Sequence, residues 1–244
     1  MNEKIYIHEY IDIIGHQRAN YMHHMTANFS PIGQAERNQL CYGVWGVVGS
    51  TGRWPQVVNM WEEDGLDGIA RSFRHELSHP SLQNPTLAKW WAKAAEFRSG
   101  GTDRLLRPAP WTRTIEELCR DEVGGEVYAH EAITVPPGCS SEYLEAVRTE
   151  AIPAYGELGW ELAGAWEAIM TDESECFVLW SIPTWEQWAG LERSLRGRPR
   201  LSEWWAESLR RTTSFRRILL VDSPLCPFRT HRQPAFSDQT DWRD

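Results

Sequence analysis

This chain repeats itself, and the repeat limits its fold more than any other feature. Tyr6-Ile7-His8-Glu9 returns as Tyr128-Ala129-His130-Glu131, and Pro31 returns as Pro153, both 122 positions later. Gly43-Val44-Trp45 matches Gly164-Ala165-Trp166, Trp61 matches Trp180, and Trp90-Trp91 matches Trp204-Trp205. Leu105-Leu106 and Pro110 match Leu219-Leu220 and Pro224. The offset falls in order through 122, 121, 119 and 114, as expected when only loops change length between two copies of one pattern. A chain of 244 residues then divides into two units of about 110 residues each.

Each unit has the same predicted elements. Residues Ile5 to Ile13 alternate and are rich in Ile and Tyr, which predicts a strand. Gly15 breaks it, and His16 to Asn28 predicts a helix ending near Ser30-Pro31. Strands follow over 40–48 and 56–61 around a Gly49–Gly52 turn, then helices over 66–77 and 87–97 and a short last strand at 104–107. The second copy predicts strands over 127–135, 161–170, 176–182 and 214–221, with helices over 142–158, 185–195 and 201–212. The cationic run Arg196-Gly197-Arg198-Pro199-Arg200 falls in a predicted solvated loop.

This order, β-α-β-β-α-β, is the split βαβ or ferredoxin-like unit. Its sheet carries helices on one face and needs a partner for the other. Two copies in one chain supply that partner by packing sheet against sheet. The expected fold is α+β: two tandem ferredoxin-like repeats, 1–110 and 127–224, packed as a pseudo-dimer. Residues 111–126 are the linker and 225–244 a C-terminal tail.

The composition narrows the function classes. A net charge of −9 argues against a nucleic-acid partner, which needs clustered cations. Five scattered cysteines without C-x-x-C spacing suggest neither a disulfide framework nor a zinc knuckle. Met1-Asn2-Glu3-Lys4 leads straight into a strand with no signal peptide, and no apolar run is long enough to span a bilayer. A cytoplasmic protein with no membrane partner is expected, and a homo-oligomer is left open.

The tandem arrangement, Tyr6–Glu9, Gly43–Trp45 and the Trp90-Trp91 pair resemble the NIPSNAP branch of the dimeric α/β-barrel superfamily. The resemblance covers about 1–110 and 124–224. It implies a pocket between helices and sheet and leaves the reaction open, because the superfamily includes cofactor-free monooxygenases, cyclases, isomerases, aldoxime dehydratases and haem-binding chlorite dismutase-like proteins. No cofactor is assigned; haem, with a histidine as axial ligand, and a divalent metal stay open alternatives.

The chemistry-bearing residues are unevenly shared. Six of eight histidines (His8, His16, His23, His24, His75 and His79) lie in the first copy, and Glu145 and Ala146 stand where His23 and His24 would recur. A single retained active site would leave such an excess of groups that titrate near neutrality. On a helix, His16, Asn20, His23 and His24 share one face, and His24 borders the adjoining face that carries Tyr21. On the first strand Glu9 points with Ile5, Ile7 and Ile11, where burial would raise its pKa, while His8 points the other way with Tyr6 and Tyr10. Tyr21, His23, His24 and Glu9 are the catalytic candidates. His8, Trp45, Asn59 and Trp61 are the substrate-binding candidates, the tryptophans as walls and Asn59 as an amide. His75-Glu76-Leu77-Ser78-His79 spells a zinc-protease motif, but Pro80 disfavours helix at His79, so no metal is assigned.

The expected function is a small-molecule enzyme using acid–base chemistry (dehydration, isomerisation or cyclisation) on a hydrophobic or aromatic substrate in a pocket of the first repeat. The alternatives are a cofactor-free monooxygenase and a non-enzymatic ligand-binding or interaction protein.

Overall fold

The structure is a computed structural model, and it describes residues 1–194 and 197–242. Its strands are β1 (Ile5–Ile13), β2 (Leu40–Val47), β3 (Gln56–Glu63), β4 (Arg98–Pro108), β5 (Val127–Thr134), β6 (Glu161–Ile169), β7 (Glu175–Ile182) and β8 (Ser214–Asp222). They close into one barrel in the order β1-β3-β2-β8-β5-β7-β6-β4. Within it, β4-β1-β3-β2 and β8-β5-β7-β6 are two antiparallel sheets of the same order, the ferredoxin-like arrangement. The sheets join edge to edge: Trp45 to Val47 of β2 pair with Asp222 to Leu220 of β8, and Leu105 to Pro108 of β4 with Ile169 to Trp166 of β6. Closure leaves no free sheet edge.

The sheet faces sort as period two requires. From β1, Tyr6, His8 and Tyr10 point into the barrel, while Ile11 and Ile13 pack outside against Tyr21, Met25 and Phe29. The Gly-x-Trp pattern of β2 and β6 has a packing cause. A Cβ on Gly43 would lie 2.0 Å from the Trp45 ring, and one on Gly164 2.2 Å from that of Trp166. Each indole folds back over the glycine two residues before it, at a register shift in both strands.

The first helix departs from its predicted end. It runs as α1 (Arg18–His23), a π-helical turn (His24–Phe29) and α2 (Ser30–Arg37), passing straight through Pro31. A π turn opens the hydrogen-bond ladder, so a proline in the next turn loses little. The second half repeats the device: α6 (Ser140–Ala146), a π turn (Val147–Ala151), then α7 (Ile152–Gly156) with Pro153. The remaining helices are α3 (Gly65–Leu77), α4 (Ala88–Ala95), α5 (Ile115–Arg120), α8 (Trp185–Ser194), α9 (Pro199–Arg211) and α10 (Pro227–Thr230). Pro199 and Arg200 open α9 rather than lying in a loop, while Leu195 and Arg196 fall outside the described residues.

Two stretches outside the sheets are more than connector and arm. In 111–126, α5 carries a capping box between Thr114 and Glu117 and buries Ile115 and Leu118 against the barrel interior. In 225–242, the Phe228 ring of α10 packs on Tyr42, Trp45 and Tyr128. Together they plug one mouth of the barrel. No helix among the described residues is long and apolar enough to cross a membrane.

Candidate functional site

The structure divides the eight candidate residues among three places. The most connected group lies on the helix face of the first sheet. Glu9 stands across from Asn59 on β3 and from Asp103 on β4. Its Oε2 accepts from Asn59 Nδ2 at 2.9 Å and from Trp61 Nε1 at 2.8 Å. Asn59 Nδ2 also donates to the Tyr21 hydroxyl at 2.9 Å, so α1 is tied to the same node. Asn59 Oδ1 is buried without a partner. Burial pushes the Glu9 carboxyl up, and the charge of Asp103 pushes it further. Burial likewise raises Asp103 and keeps the Tyr21 phenol protonated. Asp103 is exposed and Glu9 only half-buried, so the node reaches solvent on the β4 side.

The matching place in the second half is wired differently. Glu131 stands across from Val178 and Arg217, where Glu9 has Asn59 and Asp103. Arg217 Nε donates to Glu131 at 2.9 Å, its Nη2 bonds both Glu131 and the Tyr155 hydroxyl, and the guanidinium lies 4.6 Å from the Trp205 ring centre. Trp180, the counterpart of Trp61, leaves its Nε1 buried and unpartnered. One half pairs its carboxylate directly with a guanidinium; the other sets a second carboxyl beside it, with the charge of Arg98 offsetting part of the rise.

The histidines of α1 lie elsewhere. His23 and His24 line a surface cleft of about 460 Å³ with Lys93, Phe97 and Trp242, away from Glu9. His23 Nε2 bonds the Thr240 carbonyl at 2.9 Å. The His24 ring stacks on Trp90 at 4.9 Å and donates from Nε2 to the Trp90 carbonyl at 3.2 Å; burial lowers its pKa and keeps it neutral. These contacts hold the tail and α4 in place, so the expected union of His23 and His24 with Glu9 in one pocket does not form.

His8 and Trp45 are on the opposite sheet face, inside the barrel. Trp45 is fully buried over Gly43 and 5.9 Å from the Tyr128 ring, packing rather than lining a pocket with Trp61. His8 Nε2 meets His130 Nε2 at 2.9 Å across the lumen. The zinc-protease motif is split by the end of α3 at Leu77: His75 faces Glu36 at 3.2 Å, and His79 Nδ1 turns to Ser81. A haem on the helix face would need space that Phe29 fills, its ring 5.0 Å from Trp61 and 4.7 Å from Trp90; the residues there do not fit the group.

The sequence reading did not single out Asp103. The offset of 114 that pairs Leu105 with Leu219 also pairs Asp103 with Arg217, and that charge reversal was the available signal.

No family profile and no curated protein matches the sequence significantly. Solved structures resemble it in fold. A candidate monooxygenase from Lactobacillus acidophilus NCFM aligns over 96% of this chain and 97% of its own, with TM-score 0.60 and 11% identity. A chlorite dismutase variant from Candidatus Nitrospira defluvii aligns over 91% and 92%, with TM-score 0.50 and 11% identity. An uncharacterized NIPSNAP domain protein from Burkholderia xenovorans covers 41% of this chain and 98% of its own, at TM-score 0.37 and 15% identity. The chain has the dimeric α/β-barrel fold.

Proposed function

We propose that this chain is a small-molecule enzyme working by proton transfer (dehydration, isomerisation or cyclisation), with Glu9 as the group that carries the proton. The supporting observation is the reversal at one strand position, Asp103 against Arg217. A carboxyl beside a second carboxyl keeps its proton to higher pH than one beside a guanidinium. Protonated Glu9 acts as the acid, Asn59 and Trp61 stabilise the carboxylate left after transfer, and neutral Tyr21 is a fixed donor. The substrate is a small aromatic or hydrophobic molecule that approaches past exposed Asp103. Tandem copies of one ferredoxin-like unit, the NIPSNAP resemblance and a cytoplasmic setting belong to the same reading. His23 and His24 drop out of the catalytic set.

The deciding experiment is a ¹³C NMR titration of the Glu9 carboxyl. It should titrate above the ordinary glutamate range, and Asp103→Arg should bring it down. An ordinary titration in the unaltered chain would remove the basis for the proposal. The runner-up, a cofactor-free oxygenase, is favoured by the two hydrogen bonds that stabilise the Glu9 carboxylate, which would then act as a base toward an electron-rich ring. Oxygen uptake during turnover separates the two.

A further inference from the structure

The inner residues of the two central strands meet as Tyr6-x-His8-x-Tyr10 against Tyr128-x-His130-x-Ala132. His8 and His130, at the repeat offset of 122, stack at the centre with ring centroids 5.0 Å apart. On one side of this pair the lumen is packed solid by Tyr6, Tyr42, Trp45, Tyr128, Trp166 and Phe228. On the other side Tyr10 has no aromatic counterpart, because Ala132 occupies the matching place. There a cavity of about 680 Å³ opens, with His130 and Tyr10 in its lining. That volume is typical of a small-molecule site.

The charges of the cavity run against those of the chain. Its lining carries three cations, Arg53, Arg104 and Arg216, against one anion, Glu175, in a protein of net charge −9. Glu175 is taken up by Arg104, through Nε at 2.5 Å and Nη2 at 3.0 Å, which leaves Arg104 Nη1 buried with no partner. Arg53 pairs with Asp12 at 2.9 Å. Arg216 has no ion pair among the described residues. Arg216 is exposed at the cavity wall and is the guanidinium left to meet an anion there. The walls are also apolar where an organic body would lie: Phe177 and Tyr10 flank the Arg104 guanidinium at 5.6 and 6.0 Å, and Ile218 adds an aliphatic surface.

We propose that the open half of the barrel lumen binds a small organic carboxylate, held by Arg216 above the His8–His130 pair. The carboxylates that could hold a metal cation, Glu175 and Asp12, are taken up by Arg104 and Arg53, and a wall of two rings and an isoleucine favours an organic acid over inorganic phosphate. The floor responds to occupancy. His130 is faced by His8 and Tyr10 from β1, Arg104 from β4, Glu175 from β7 and Arg216 from β8. Burial first, and Arg104 next, hold it down to about 4, so it is neutral when the lumen holds no anion. An anion beside it favours the imidazolium, so binding takes up a proton and tightens as pH falls. Tyr10, with its hydroxyl 3.4 Å from His130 Nδ1, lies on the path that proton would follow.

The test titrates the full chain with benzoate, reading heat by calorimetry and the His130 imidazole by NMR, with phosphate as the comparator. Benzoate should bind saturably and shift the His130 titration upward. Arg216→Gln should weaken it about tenfold, as loss of a hydrogen bond to a charged group does. Ala132→Phe should abolish binding by filling the cavity, and if that variant does not fold, Arg216→Gln alone decides. Glu9→Gln should leave benzoate binding unchanged, which separates this site from the proposed function. Absence of saturable binding, equal affinity in Arg216→Gln, or phosphate binding as tightly as benzoate would overturn the proposal.

Discussion

Burial acts on individual carboxyls here with effects that can be measured. Glu63, at the end of β3 and 1% exposed, is pushed up to about 7 by desolvation, with Ser72 and then Arg37 only partly offsetting it. A carboxyl whose folded pKa lies above its unfolded one stabilises the fold fully below the unfolded value and loses that contribution as pH rises through the folded value. Denaturant melts should therefore show the chain losing stability between about pH 4.5 and 7 from this group, by at most about 3.5 kcal/mol. Glu63→Gln should flatten that part of the profile, and an unchanged slope would show that Glu63 ionises normally. The Asp103→Arg variant tests a second residue by the same logic. It rebuilds beside Glu9 the guanidinium that Arg217 offers Glu131, so stability above pH 7 should rise while Glu9 loses its proton earlier. Asp103 escaped the sequence reading because the strand was expected to begin at Arg104. The segment Arg98-Ser99-Gly100-Gly101-Thr102-Asp103 reads locally as loop, yet pairing with β1 makes it strand. Tertiary pairing overrides weak local propensity there.

At the scale of elements, legibility followed whether a signal was local. The alternation of β1 and β5 and the Gly-x-Trp strands could be read because each carries its period or its packing partner within a few residues. The helix α5 also has a local signal, since Thr114-x-x-Glu117 is a capping box, but a single short helix between two repeats reads as linker. The run through Pro31 was not readable, because the π turn that permits it widens the helix without a residue signature. These elements have separate costs. Thr114→Ala should destabilise by about 1 kcal/mol, the usual loss for a removed cap, in equilibrium unfolding. Trp204→Ala, on a 4% exposed indole against Tyr143, should cost about 3–5 kcal/mol and leave the Glu9 titration where it was. A Thr114→Ala chain as stable as the parent would mean that α5 is held by its buried Ile115 and Leu118 alone.

The whole molecule is governed by closure. Each four-stranded sheet turns one face to its own helices and the other to the opposite sheet, and the inner cluster draws Tyr6, Trp45 and Met60 from one half and Tyr128, Trp166 and Phe177 from the other. Neither half can bury that face alone, and the seams β2–β8 and β4–β6 are short ladders of three and four residue pairs that add register rather than bulk. The facing histidines show what this means for the reading of a site. His8 and His130 were visible as a recurring motif, but their contact exists only because the fold places offset-related positions across one axis. The same closure predicts folding behaviour. Unfolding of the intact chain should be a single transition by both tryptophan fluorescence and far-UV circular dichroism. Residues 1–122 expressed alone should self-associate, covering the exposed aromatic face with a second copy, and co-expression with 123–244 should restore a soluble species of the intact mass. The reason is energetic: burying an aromatic side chain removes on the order of 150–250 Å² of surface, and leaving several in water outweighs the stability of a typical domain. Size-exclusion chromatography decides it, and a monomeric, cooperatively folding first half would show that the sheet-to-sheet interface is dispensable.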